Sequence, residues 1–182
     1  MAFALLSLVL VLAAFALLLA YTLRTGISPV PTTPRVAAAM FALIPTETRG
    51  VIYELGSGWG NLASGLAKRF PDCPVVAYEL SPLPWLVSVV WRRLAARPNL
   101  TLRRADFFAA PLGDAAVICC YLYPGAMRRL RAKFEDELAA GALVLSHGFV
   151  VPGWTPAVVR TADDAYGTKV YLYRMPPVTA AP

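Results

Sequence analysis

A chain of 182 residues with 17 Lys and Arg against 11 Asp and Glu, a net charge of +6, has room for one domain of ordinary size. Its hydrophobic fraction of 58% is too high for an ordinary soluble domain, and the excess is concentrated in one segment. Three cysteines, Cys73, Cys119 and Cys120, without framework spacing give no disulfide scaffold, and a single histidine leaves little for a metal, so none is expected.

From Ala2 to Leu23 no charged residue occurs, and Leu, Ala, Val and Phe dominate. Roughly 20 apolar residues at about 1.5 Å rise span a hydrocarbon core of about 30 Å. Residues 1–23 are therefore expected to form a transmembrane anchor. A cleaved signal peptide would need a basic leader and a shorter apolar run. Arg24, Arg35 and Arg49 follow the span and no basic side chain precedes it, which predicts a single-pass protein with its C-terminal part in the cytoplasm. Residues 24–50 read as a Pro-rich linker and a short helix, with Thr33 as cap, Pro34 at the first position and Pro45 as stop.

From Val51 the signals alternate between strand and helix, which predicts an α/β domain over 51–182 with a parallel sheet and crossover helices. Strands are expected at 51–55, 75–79, 100–104, 115–121 and 142–149, and helices at 61–70, 82–96 and 125–138. An antiparallel hairpin, 157–161 and 169–174, closes one edge. Seven strands in this order match the Rossmann-like sheet of class I methyltransferases, with helices on both faces. Trp91 is assigned to core packing, and Trp59 and Trp85 to covering the mouth of a site.

The run Val51-Ile-Tyr-Glu-Leu-Gly-Ser-Gly-Trp-Gly60 carries the most chemistry. A strand enters a turn containing Gly56, Gly58 and Gly60, which admits a nucleotide-bearing ligand where a Cβ would clash. Glu54 decides between ligand classes. Its carboxylate would repel a dinucleotide's pyrophosphate but suits the cationic amino-acid end of S-adenosyl-L-methionine. The dinucleotide fingerprint also wants its third glycine where Asn61 stands. A Gly-rich turn without a ligand is the bland alternative. Glu79, about 20 residues beyond the turn, is placed to accept from ribose hydroxyls. Asp106 is placed to accept from the adenine amine, with Phe107 against the ring, or else simply caps a loop.

Tyr121 and Tyr123, in Tyr121-Leu-Tyr-Pro124, end the fourth strand where a methyl group would point, and could orient a nitrogen nucleophile or merely pack. His147, after the fifth strand, could accept a proton or serve as a packing residue. The arginine pairs at 92–93 and 103–104 read as a solvated surface or as attraction to anionic lipid. No stacking or recognition-helix pattern accompanies them, so nucleic acid is not expected.

Tyr53-Glu-Leu-Gly-Ser-Gly-Trp-Gly60, Ala77-Tyr-Glu-Leu-Ser-Pro82, Pro31-Thr-Thr-Pro34 and Val151-Pro-Gly-Trp-Thr-Pro156 together resemble the membrane-anchored protein-lysine methyltransferases. Mitochondrial members of that group modify the adenine nucleotide translocase and the c-ring protein of ATP synthase, and prokaryotic relatives exist. The resemblance spans nearly the whole chain. It implies methyl transfer from S-adenosyl-L-methionine to a lysine of a membrane or membrane-proximal protein. Glu54, Gly56, Gly58 and Gly60 would cradle the methionine part, Glu79 the ribose and Asp106 the adenine. Trp59, where relatives often carry Asp, and the Tyr121–Pro124 segment depart from the pattern. A lipid headgroup or quinone acceptor, or a tethered module without turnover, are the alternatives.

Overall fold

A computed structural model describes residues 1–26 and 30–176; the middle of the expected linker and the last six residues lie outside the described residues. Helix α1 (Ala2–Thr25) ends at Gly26 in the left-handed region, φ 72°, whose N–H donates to the Thr22 carbonyl. Among the described residues it is the one helix long and apolar enough to cross a membrane, and none of its most apolar stretch is buried within the molecule. Helix α2 (Pro34–Phe41) begins as expected, with Thr33 Oγ1 accepting from Val36 N–H. It stops short of Pro45 because the Leu43 and Ile44 amides turn back to Met40 and Phe41 in i→i+3 bonds that tighten its end.

The strands β1 (Val51–Leu55), β2 (Val75–Tyr78), β3 (Leu100–Arg103), β4 (Ala115–Cys120), β5 (Leu143–His147), β6 (Val158–Thr161) and β7 (Lys169–Arg174) form one sheet. Their order is β3-β2-β1-β4-β5-β7-β6. The first five are parallel, while β7 inserts antiparallel between β5 and the edge strand β6. Helices α3 (Asn61–Arg69), α4 (Pro82–Leu94) and α5 (Pro124–Glu137) make the crossovers. The chain runs outward from β1 through β2 to β3, then returns to β4 on the other side of β1. The crevice at the carboxyl ends of β1 and β4 is therefore the topological switch point, where open α/β sheets bind ligands.

Period-two alternation along β1 and β4 divides their side chains between two cores. Ile52, Val117 and Cys119 join Leu62, Leu66 and Met40 from α3 and α2. Leu55, Ile118 and Cys120 join Met127, Leu130 and Phe134 from α5. The vicinal cysteines thus point to opposite faces, both free and buried, and burial raises both thiol pKa values, that of Cys120 to about 12.

Helix α4 differs from its neighbours. Only Pro84 and Ser88 are buried in it, and no α4 residue belongs to either core. Trp91, expected inside, is 59% exposed. Small Ser88 is the contact that lets α4 close on the start of α3, which leaves the large side chains facing outward.

Candidate active site

A cavity of about 250 Å³ opens at the switch point, lined by Glu54, Gly56, Gly58, Glu79, Asp106, Phe107, Tyr121 and Tyr123. The loops after β1, β2, β3 and β4 each deliver part of it, as the parallel registers require. Eight of the ten residues singled out from sequence therefore share one space, and Gly60 and His147 do not.

Gly56, Gly58 and Gly60 all have positive φ, 78°, 53° and 80°. Gly60 caps α3, and a Cβ there would lie 2.7 Å from Ser88 Cβ, so its smallness serves the α3–α4 contact and not the cavity. His147 is buried behind Tyr121, the two rings stacked at 4.2 Å, with Nε2 3.0 Å from Thr32 Oγ1. Burial lowers its pKa to about 4, against a smaller opposing pull from Asp164, so it is neutral at pH 7. Its place is to pin the segment after α1 to the end of β5. Trp59 and Trp85 do not line the cavity either.

Glu79 holds the turn in shape: its two carboxylate oxygens accept from the Gly58 and Ser81 amides at 2.8 and 2.6 Å. Asp106 Oδ1 accepts from Phe108 N–H at 2.9 Å, capping a single 3-10 turn, Phe107–Ala109, too short to be expected from sequence. Its other oxygen is not engaged by this cap.

Glu54 is nearly inaccessible, and its Oε2 has no hydrogen-bond partner; nor does the buried Ser57 hydroxyl beside it in the cavity wall. Leaving such atoms unpaired costs about 1–3 kcal/mol each. Burial pushes the Glu54 pKa up to about 8, helped by Glu79 and opposed by a backbone hydrogen bond from Ala63. A positively charged group that also donates hydrogen bonds would satisfy both residues, and the amino-acid end of S-adenosyl-L-methionine is such a group. The donor set fits that cofactor and opposes a pyrophosphate. Among the described residues no cluster suited to a metal ion occurs.

Other walls were not foreseen from sequence. Arg24, Val30, Pro31 and Thr32, from the end of α1 and the segment after it, close one side, and Arg129 of α5 another. The Arg129 guanidinium lies 3.6 Å over the Phe108 ring, a cation–π contact at the rim. Only the Pro-rich composition of the segment hinted that it runs extended across the sheet ends.

A switch-point crevice with a glycine turn after β1 and carboxylates after β1, β2 and β3 defines a class I S-adenosyl-L-methionine-dependent methyltransferase. The chain belongs to the ANTKMT methyltransferase domain family, which matches residues 54–158. It is 28% identical over 79% of its length to a protein-lysine N-methyltransferase of Saccharolobus islandicus (strain REY15A), covering 91% of that protein. It is 32% identical to the adenine nucleotide translocase lysine N-methyltransferase of Mus musculus, over 68% of this chain and only 53% of that one. For the Rattus norvegicus lysine N-methyltransferase named for the c-ring protein of ATP synthase, the identity is 30%, over 80% of this chain and 65% of the relative. A Salinibacter ruber RNA methyltransferase, solved with S-adenosyl-L-homocysteine, superposes with a TM-score of 0.73 at 27% identity, over 84% of this chain and 98% of that one.

Proposed function

We propose that this enzyme is anchored by α1 and methylates a lysine side chain of a membrane or membrane-proximal protein, with residues 1–23 as anchor, 24–50 as linker and 51–182 as the cytoplasmic catalytic domain. One observation carries the reading: Arg24, at the end of the apolar helix, lines the same cavity as Glu54 and Glu79. Reaction would then occur within a few residues of the bilayer surface, where substrates held in the membrane have a raised effective concentration. The names of the three relatives above agree with a lysine acceptor.

Glu54, Gly56, Gly58 and Ser57 would hold the methionine part of S-adenosyl-L-methionine, Glu79 the ribose, and Asp106 with Phe107 the adenine. When bound, the cofactor supplies an electrophilic methyl group on a sulfonium, displaced by an incoming nucleophile. Tyr121 and Tyr123 form the wall after β4 and would align the amine by hydroxyl and ring contacts. An attacking lysine must be neutral, against an ordinary pKa near 10.4, and burial in a cavity lined by Arg24 and Arg129 lowers that value. His147, shielded by Tyr121, is not needed as a base.

Purified enzyme with methyl-labelled donor is expected to label membrane protein of its host, released as methyl-lysine after acid hydrolysis. Label confined to extracted lipid would replace the lysine reading with a headgroup or quinone acceptor. Label in RNA would favour the activity named for the Salinibacter relative.

A further inference from the structure

Outside the cavity, the largest unexplained feature of the folded domain is the outer face of α4. Leu86, Val90, Trp91 and Leu94 are 53%, 49%, 59% and 72% exposed. At 100° per residue these four positions fall within roughly 140° of the helix surface, a continuous apolar stripe. Isolated exposed apolar residues need no explanation, but a stripe on a helix that contributes nothing to either core does.

The charge around the stripe is of one sign. Between Leu80 and Ala105 the charged residues are Arg92, Arg93, Arg97, Arg103 and Arg104, with no acid among them. The stripe also lies beside the base of α1: α4 contacts α1, and the Arg104 guanidinium reaches the Tyr21 hydroxyl at 3.5 Å in the last turns of that helix. Arg24, 6.0 Å from the Tyr21 ring, adds a further cation there. An apolar face with tryptophan, bordered by arginines and adjoining an apolar helix of membrane-spanning length, matches the composition of helices that lie in the plane of the bilayer interface.

We infer that the outer face of α4 is a second membrane contact, seated in the headgroup region of an anionic bilayer through Leu86, Val90, Trp91 and Leu94. The inference rests on α1 being the anchor and adds to it a fixed orientation. Two attachments hold the domain against rotation about α1, so that the cavity keeps one height above the membrane surface.

The test uses the full chain in phosphatidylcholine vesicles with and without phosphatidylglycerol, carrying lipid brominated near the headgroup end of its acyl chains. No tryptophan occurs in α1, so quenching of tryptophan emission reports the folded domain alone. Quenching is expected, stronger with phosphatidylglycerol; Trp91→Phe should remove at least half of it and Trp154→Phe none. A nitroxide on Leu94→Cys gives a second readout, since the native cysteines are buried, and should become more accessible to oxygen than to an aqueous nickel chelate. Protein that resists alkaline carbonate extraction yet shows neither signal would overturn the α4 contact and leave the anchor standing. Protein stripped by carbonate but still quenched through Trp91 would overturn the anchor and keep the α4 contact. Absent quenching together with a Trp91-dependent dimer in detergent, or Trp91-dependent retention of tRNA, would give the face to a second copy or to nucleic acid and overturn the inference.

Discussion

At the scale of single residues, Glu54 is the group whose charge is tied to the ligand. Its pKa stands at about 8 in the unliganded fold against an ordinary 4.5. Between those values the folded protein retains a proton that the unfolded chain has lost. The proton's contribution to stability is therefore complete below pH 4.5 and fades as pH rises through about 8. A cationic ligand end favours the ionised carboxylate, so S-adenosylhomocysteine binding at pH 7 should expel this proton. Calorimetry in phosphate and in Tris should give heats that differ by the buffer ionisation heat, and Glu54→Gln should erase the difference; equal heats for the unaltered protein would refute the linkage. Glu79→Ala should weaken the same ligand at least tenfold, since it removes the ribose acceptor and also frees the Gly58 and Ser81 amides. Unchanged affinity would remove its assignment. Both carboxylates were legible in the sequence because strand ends and a glycine turn are local signals. The isolation of His147 was not, since its stack on Tyr121 and its bond to Thr32 join residues far apart in the chain.

At the scale of elements, the α3–α4 contact depends on one missing side chain. Gly60→Ala would combine an unfavourable positive φ with a 2.7 Å approach to Ser88, and a loss of roughly 1–3 kcal/mol is expected. The midpoint of urea unfolding measures it, and an unshifted midpoint would mean that α4 yields freely. Strands β1 to β5 read correctly because short β-branched and apolar runs bounded by Gly, Pro and Asn are characteristic of a buried parallel sheet. Helix α4 carries an apolar pattern too, and that pattern alone places Trp91 inside. Periodicity reports which residues are apolar, not what lies opposite them, and α4 has only its Pro84 and Ser88 face against the domain. The 3-10 turn after Asp106 spans three residues, too few for any periodic signal.

At the scale of the whole molecule, the order β3-β2-β1-β4-β5-β7-β6 places the end of every cavity-bearing strand on one side, and the exit of α1 lies there too. A reporter fused after Pro182 should be cytoplasmic, as the arginines following α1 require; a reporter exported across the membrane would overturn the proposed orientation. The sequence contained the lengths of α1 and the following segment but not their path, because an extended stretch makes its contacts only with distant residues. That path has a practical corollary. Removing the first two dozen residues to obtain a soluble enzyme would delete Arg24 from the reaction chamber and unfasten Val30, Pro31 and Thr32, so such a shortened form would be kinetically a different enzyme from the parent.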